Sequence, residues 1–202
     1  MCIRDRTHTD PKAEFCSFAI VELAALLCSK DTAPSLLEVF EVIFLENSSD
    51  EFCELLAAVR WSLERGETLS ELLCAIAGEP EKGVSGYCFQ TLAAVLYCGI
   101  RHHWEAEKAL GEIWAAGGDT DSSGAILGAL GGALRGVDSF PMQWVRGIAE
   151  WPIGIQSFEK LAQATVAHRP LKVRFAWHPL LLLRNFVFFL VVLFHGFTRL
   201  VR

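Results

Sequence analysis

The sequence has no C-x-x-C pair, no cluster of Lys and Arg outside its extreme C-terminus, no apolar run behind a basic start, and no alternating apolar and polar run between hairpin turns. Each absence excludes a class. Cys2, Cys16, Cys28, Cys53, Cys74, Cys88 and Cys98 leave an odd thiol, so neither a zinc knuckle nor a complete disulfide framework is encoded, and a reduced, cytoplasmic chain is expected. With 18 Lys+Arg against 24 Asp+Glu and a formal net charge of −6, nothing supplies the counterion release on which nucleic-acid backbone binding draws. A 21% charged share beside 11% aromatic residues excludes intrinsic disorder. Met1 to Arg6, MCIRDR, is not a secretory signal, and we read it as a non-native prefix outside the fold.

What is present is helical periodicity, which predicts an all-α body. Helices are expected from near Pro11, from Ser35 after Pro34, and from Ser48 or Ser49, where Ser48 and Glu51 stand at capping-box spacing. Gly66 ends the third. Thr68 to Ala77 follows, stopped by Gly78-Glu79-Pro80, and then Cys88 to Tyr97 and Trp104 to Trp114. Arg101-His102-His103-Trp104-Glu105 is expected to be solvent-exposed, and Trp144 and Trp151 to pack in the core.

Residues 117 to 136, GGDTDSSGAILGALGGALRG, carry seven glycines in a segment that must be helical beyond Ser122. Gly124, Gly128, Gly132 and Gly136 recur every fourth residue and leave one face bare, open to close approach by a neighbouring helix or a ligand. Ahead of them, Asp119 and Asp121 lie in a loop freed by Gly117 and Gly118, with the Ser122 hydroxyl beside them. Hard oxygen donors of this kind suit Mg²⁺ or Mn²⁺. The alternative is that Asp121 or Ser122 only caps the helix, which accounts for one oxygen and not three.

The run Ala116-Gly117-Gly118-Asp119-Thr120-Asp121-Ser122, continued by Ala125-Ile126, Gly128-Ala129-Leu130, Gly132-Ala133, Gly136 and Pro141-x-x-Trp144, resembles the C-terminal signature of the ADP-ribosylglycohydrolases. Thr7-His8-Thr9-Asp10-Pro11 resembles that family's mid-chain T-H-x-D-P stretch, and Ser85-Gly86-Tyr87 with Thr91-Leu92-Ala93-Ala94 resembles its S-G-Y-x-x-x-T-L-x-A-A helix. The resemblance implies an all-α bundle with a two-ion Mg²⁺ site, or Mn²⁺, that hydrolyses the bond between ADP-ribose and a modified protein side chain or a small ADP-ribosyl compound. It implies Asp119, Asp121 and Ser122 as metal ligands, the two carboxylates as catalytic positioners of metal and water, and His8, Tyr87, Gly117 and Gly118 as substrate-binding residues. The family places Thr where this chain has Ser122, and Ser keeps the oxygen. Its N-terminal Thr/Asp/Asp metal motif has no counterpart here, so the bundle is expected to be incomplete at the N-terminus and the chain inactive by itself. A catalytically silent helical or membrane-associated interaction protein is the competing reading.

By sequence, the family domain occupies 7 to 166, a linker 167 to 178, and a hydrophobic helix 179 to 202. That tail, PLLLLRNFVFFLVVLFHGFTRLVR, is too apolar for a surface helix. A membrane helix, a helix buried against a partner or an absent N-terminal half, and an unstructured apolar tail all remain open.

Overall fold

The computed structural model describes residues 10–44, 49–77, 83–148, 154–170 and 179–200. Among them the chain is helical, with no strand beyond one isolated backbone bridge. It divides into two compact units, Met1–Gly147 and Ile148–Arg202.

In the first unit, α1 (Pro11–Cys28) is followed by α2 (Leu36–Ile43), α3 (Asp50–Arg65), α4 (Leu69–Ala77), α5 (Cys88–Arg101), α6 (Ala106–Ala116), α7 (Thr120–Arg135) and the short α8 (Met142–Gly147), with a 3-10 turn over Val137–Ser139. The starts follow from capping chemistry. Asp10 accepts from the Lys12 N–H ahead of Pro11, and Ser35 and Glu38 form a reciprocal capping box. Ser49 caps α3 by accepting from the Phe52 N–H, so the cap at that helix is Ser49, while Ser48 lies outside the described residues. Gly66 closes α3 in the left-handed region, φ 68°. Thr68 and Glu71 cap α4 in the same reciprocal way. Gly78, Glu79 and Pro80, expected to stop that helix, also lie outside the described residues, as does Trp151.

α5 is the axis of the unit. Every residue from Thr91 to Gly99 is buried, and α1, α3, α4, α6 and α7 all pack on it. A helix that is apolar all round has to be enclosed all round, and these neighbours do so. α1 contributes one stripe, Cys16, Ala19, Leu23 and Leu27, while α3 brings Phe52, Leu55, Leu56 and Val59. The buried Tyr97 hydroxyl donates to the Glu67 carbonyl, and the Arg101 guanidinium donates to the same oxygen at 2.8 Å.

α5 extends four residues past the expected Tyr97, and α6 begins only at Ala106. Between them His103 and Trp104 take positive φ, 51° and 59°, and the Trp104 ring folds back onto Gly99, where it is 1% exposed. A Cβ on Gly99 would sit 2.2 Å from that ring, so the glycine makes the space the indole fills. The expectation of a solvated 101–105 segment is therefore corrected at Trp104, because a buried indole contributes more than an exposed one. It is also corrected at His102, whose Nε2 lies 2.6 Å from Glu112 Oε2.

The glycine face of α7 is covered by protein. Trp114 of α6 approaches Gly124, where a Cβ would lie 2.6 Å from its Nε1, and the Phe140 ring lies over Gly128 and Gly132. Trp114 in turn packs on Trp144 with ring centroids 5.4 Å apart. Gly136 ends the helix with φ 74°.

The second unit holds α9 (Ile155–Val166) and α10 (Pro179–Leu200). Among the described residues, neither contributes a buried one.

Gly99→Ala is expected to destabilise the first unit by about 1–3 kcal/mol, the usual range for overpacking a filled core, read as a lower denaturant midpoint with altered Trp fluorescence. Lys30 at 2.5 Å and the Ser35 cap hold the Glu38 carboxyl down at about 2 from its ordinary 4.5. Because the folded-state value is the lower one, this contact stabilises the fold above pH 4.5 and the contribution is lost as pH falls toward 2. Glu38→Gln should lower the melting temperature at pH 7, with the gap to the parent closing across that window.

Candidate active site

The candidate corner is built where two loops meet at the entry to α5 and α7. Gly83-Val84-Ser85-Gly86 runs into α5, and Gly117-Gly118-Asp119 runs into α7. Val84 N–H donates to the Gly117 carbonyl at 3.0 Å, and Asp119 N–H donates to the Val84 carbonyl at 2.6 Å, making a parallel bridge between Val84 and Gly118. The glycines are there for the backbone. Gly118 has φ 83°, and a Cβ on it would fall 2.1 Å from the Val84 oxygen. Gly117 has φ 77°, and Gly83 opposite is as tightly held, its would-be Cβ 2.4 Å from the Gly117 carbonyl carbon.

This bridge sets where Asp119 points. Asp119 occupies the N-cap position of α7, but its side chain makes no cap hydrogen bond. Instead its backbone carbonyl accepts from the buried Ser123, from N–H at 3.2 Å and Oγ at 2.6 Å. The carboxylate is left free to lie against Gly86, with Oδ2 3.2 Å from where a Cβ on that residue would be. α7 starts at Thr120, earlier than expected. Asp121 and Ser122 therefore lie in its first turn and not in a loop, and neither is the cap. The non-helical backbone of Asp119, φ −78° and ψ 65°, lets its carboxyl meet that of Asp121. A hydrogen bond shared with the Asp119 carboxyl, followed by backbone bonds at Asp121 and Ser122, holds Asp121 below the ordinary aspartate value.

Asp119 and Ser122 line the rim of a cleft of about 480 Å³, between α1, α5 and α7. Ile20, Leu92, Val95 and Ile126 form an apolar floor, with the Cys16 and Cys88 thiols beside them. Burial, then the neighbouring Cys88, pushes the Cys16 thiol up, so it stays protonated at neutral pH and is no nucleophile. Asp119 and Ser122 on the cleft, with Asp121 beside Asp119, offer two carboxylates and one hydroxyl, hard oxygen donors that fit Mg²⁺ or Mn²⁺ and not a soft metal. Two carboxyl groups in contact share a proton or need positive charge between them, and a divalent ion would supply that charge. Among the described residues, no three His, Cys, Asp or Glu side chains converge.

The remaining sequence candidates fall elsewhere. Tyr87 leads into α5 between Gly86 and Cys88, but its ring, 43% exposed, faces a second depression with Lys12, Glu51, Glu54 and Phe89. Lys12 Nζ bonds Glu51 at 2.5 Å and lies 6.0 Å from the centre of the Tyr87 ring. His8 lies outside the described residues. Sequence reasoning missed Gly86, Ser123 and Val84. Of these, Gly86 alone carried a signal, as the glycine of the Ser-Gly-Tyr motif.

The model of the ADP-ribosylglycohydrolase family matches residues 4–174. The chain belongs to that family. No curated protein and no solved structure matches it. The family is one of glycosyl hydrolases, and the fold is the all-α bundle expected of it, with the apolar helix α10 following the matched residues.

Gly118→Ala is expected to break the Val84 bridge and cost at least about 1–3 kcal/mol, the range for a side chain forced into a sparsely populated backbone region. Hydrogen exchange at the Val84 and Asp119 amides should accelerate more than at amides within α5.

Proposed function

We propose that the Asp119, Asp121 and Ser122 corner binds divalent magnesium, with manganese as a substitute, and that the protein hydrolyses the glycosidic bond joining ADP-ribose to a modified protein side chain or a small ADP-ribosyl compound. The observation that carries this reading is the Asp119 carboxylate, released from capping, bonded to Asp121 and set on the rim of an apolar-floored cleft. A diphosphate approaching two carboxylates is repelled unless a divalent cation intervenes. An acidic rim over an apolar floor therefore suits a ligand with planar and hydroxylated parts that arrives with metal.

When bound, the ions supply positive charge that holds ribose hydroxyls and favours ionisation of water near the anomeric carbon. The chain's own residues position that chemistry. Asp121, held below the ordinary aspartate value first by the hydrogen bond with Asp119 and then by backbone bonds at Asp121 and Ser122, offers an anionic oxygen. Asp119 is aimed by the Val84 bridge below and by Ser123 behind, and Gly86 leaves the room its carboxylate occupies. Ser122 adds a neutral oxygen on the same rim. Ile20, Leu92, Val95 and Ile126 exclude water from beneath the reacting sugar. The two carboxylates thus serve as positioners and not as the acid and nucleophile pair of metal-free glycosidases.

Titration of the chain with Mn²⁺, followed by loss of the free-ion paramagnetic resonance signal, is expected to show binding that weakens more than roughly tenfold in Asp121→Ala and in Asp119→Ala. Circular dichroism should remain that of the parent. The full-length gene product is expected to release ADP-ribose in a Mg²⁺-dependent reaction that Asp121→Ala abolishes. Binding indifferent to both substitutions would overturn the proposal.

A further inference from the structure

α10 follows the last residue of the family match at 174, so the family fold leaves it unexplained. Its residues from Leu181 to Arg199 are long and apolar enough to cross a membrane, and none of that stretch is buried. Two ordinary explanations for such a helix fail here. A soluble core helix is covered by its own protein, and this one is exposed; an N-terminal signal lies at the other end of the chain.

The distribution of exposure identifies the surroundings that would suit it. Phe186 through Phe194 are nine consecutive large apolar residues, between 41% and 72% exposed. At about 100° per residue they cover the circumference more than twice. A protein groove covers one face of a helix and leaves the other polar. A helix apolar on every face needs an apolar medium on every face.

Length and charge placement agree with the thickness of a bilayer. Nineteen residues at 1.5 Å each span about 28 Å, against a hydrocarbon core of about 30 Å. Arg184 lies within the first turn of that stretch and Arg199 ends it, about 22 Å apart along the axis, and their aliphatic stems can reach the headgroups on either side. The polar groups near the ends are already bonded locally: Asn185 Oδ1 accepts from Arg184 Nε at 3.3 Å, and the Thr198 hydroxyl donates to the His195 carbonyl at 2.8 Å. Arg184, Asn185, His195 and Arg199 do share one side of the helix, the pattern of a helix lying flat in the interface. Between them, however, that side is filled by Phe188, Val191 and Val192, all more than half exposed. A flat-lying helix keeps its polar side continuous.

We propose that α10 spans a lipid bilayer, with acyl chains around its whole circumference and Arg184 and Arg199 at the two headgroup levels. The proposal is independent of the metal chemistry above.

The test is reconstitution of the full chain into phosphatidylcholine vesicles, with and without phosphatidylglycerol, followed by alkaline carbonate treatment and flotation on a density gradient. The parent is expected to float after carbonate whatever the lipid charge. Phe188→Lys on the partly polar side and Leu190→Lys on the opposite side should each reduce the carbonate-resistant fraction by about tenfold or more, because both place an ammonium near mid-bilayer, whereas Thr198→Lys near the helix end should float like the parent. Melting of the first unit, unchanged in all three, excludes misfolding as the cause. Carbonate release of the parent, a need for phosphatidylglycerol, or retention of Phe188→Lys beside loss of Leu190→Lys would each overturn a span. So would parent protein that stays at the bottom of the gradient.

Discussion

Two backbone hydrogen bonds between Val84 and the Gly117-Gly118-Asp119 turn set the direction of the candidate site's leading carboxylate. They join loops that precede different helices, α5 and α7, and so bring a carboxylate from one over a cleft whose floor is shared with the other. The bonds require backbones to approach at a distance that excludes a Cβ, and this explains glycine at positions 83 and 118 on opposite sides of the bridge. A side chain bridging the same loops would allow rotamer freedom, whereas a backbone clamp allows very little. The Asp119 carboxylate therefore depends on main-chain geometry for its direction.

The bridge in turn rests on α5. Because α5 is enclosed by α1, α3, α4, α6 and α7, the loop that enters it has a rigid origin, and the cleft lies where α1 and α7 flank it near its N-terminal half. The glycine-rich helix α7 obtains its packing from aromatic rings instead of from helix backbone. Trp114 and Phe140 fill the bare face, so the glycines cost helix propensity and allow close ring contact. The face that carries Asp119, Ser122 and Ile126 remains on the cleft.

Much of the fold was legible because capping and periodicity are local. The Asp10, Ser35, Thr68 and Gly66 boundaries follow from side chains and backbone within four residues of each helix end. The errors have a common origin in tertiary packing. Trp104 reads as the start of a helix, yet its indole is buried against Gly99, and a left-handed turn at His103 and Trp104 is the cost of placing it there. Asp121 and Ser122 read as loop residues behind two glycines. They are helical because the bridge to Val84 completes the turn by Asp119, and Ser123 fastens the first helical turn from within.

The sequence by itself determined the all-α class, most helix boundaries, the family and the acidic, hydroxyl-bearing character of the candidate metal corner, since all of these depend on residue type and short spacing. Tertiary structure alone decided that Asp119 is released from capping, that Gly86 and Ser123 support it, that the glycine face belongs to Trp114 and Phe140, and that Tyr87 faces a different depression from the acidic rim. Most of those outcomes depend on contacts between separate elements, from Phe140 on Gly132 to Asp119 against Gly86, or on which of several available surfaces a side chain turns toward. Short-range patterns carry no record of either.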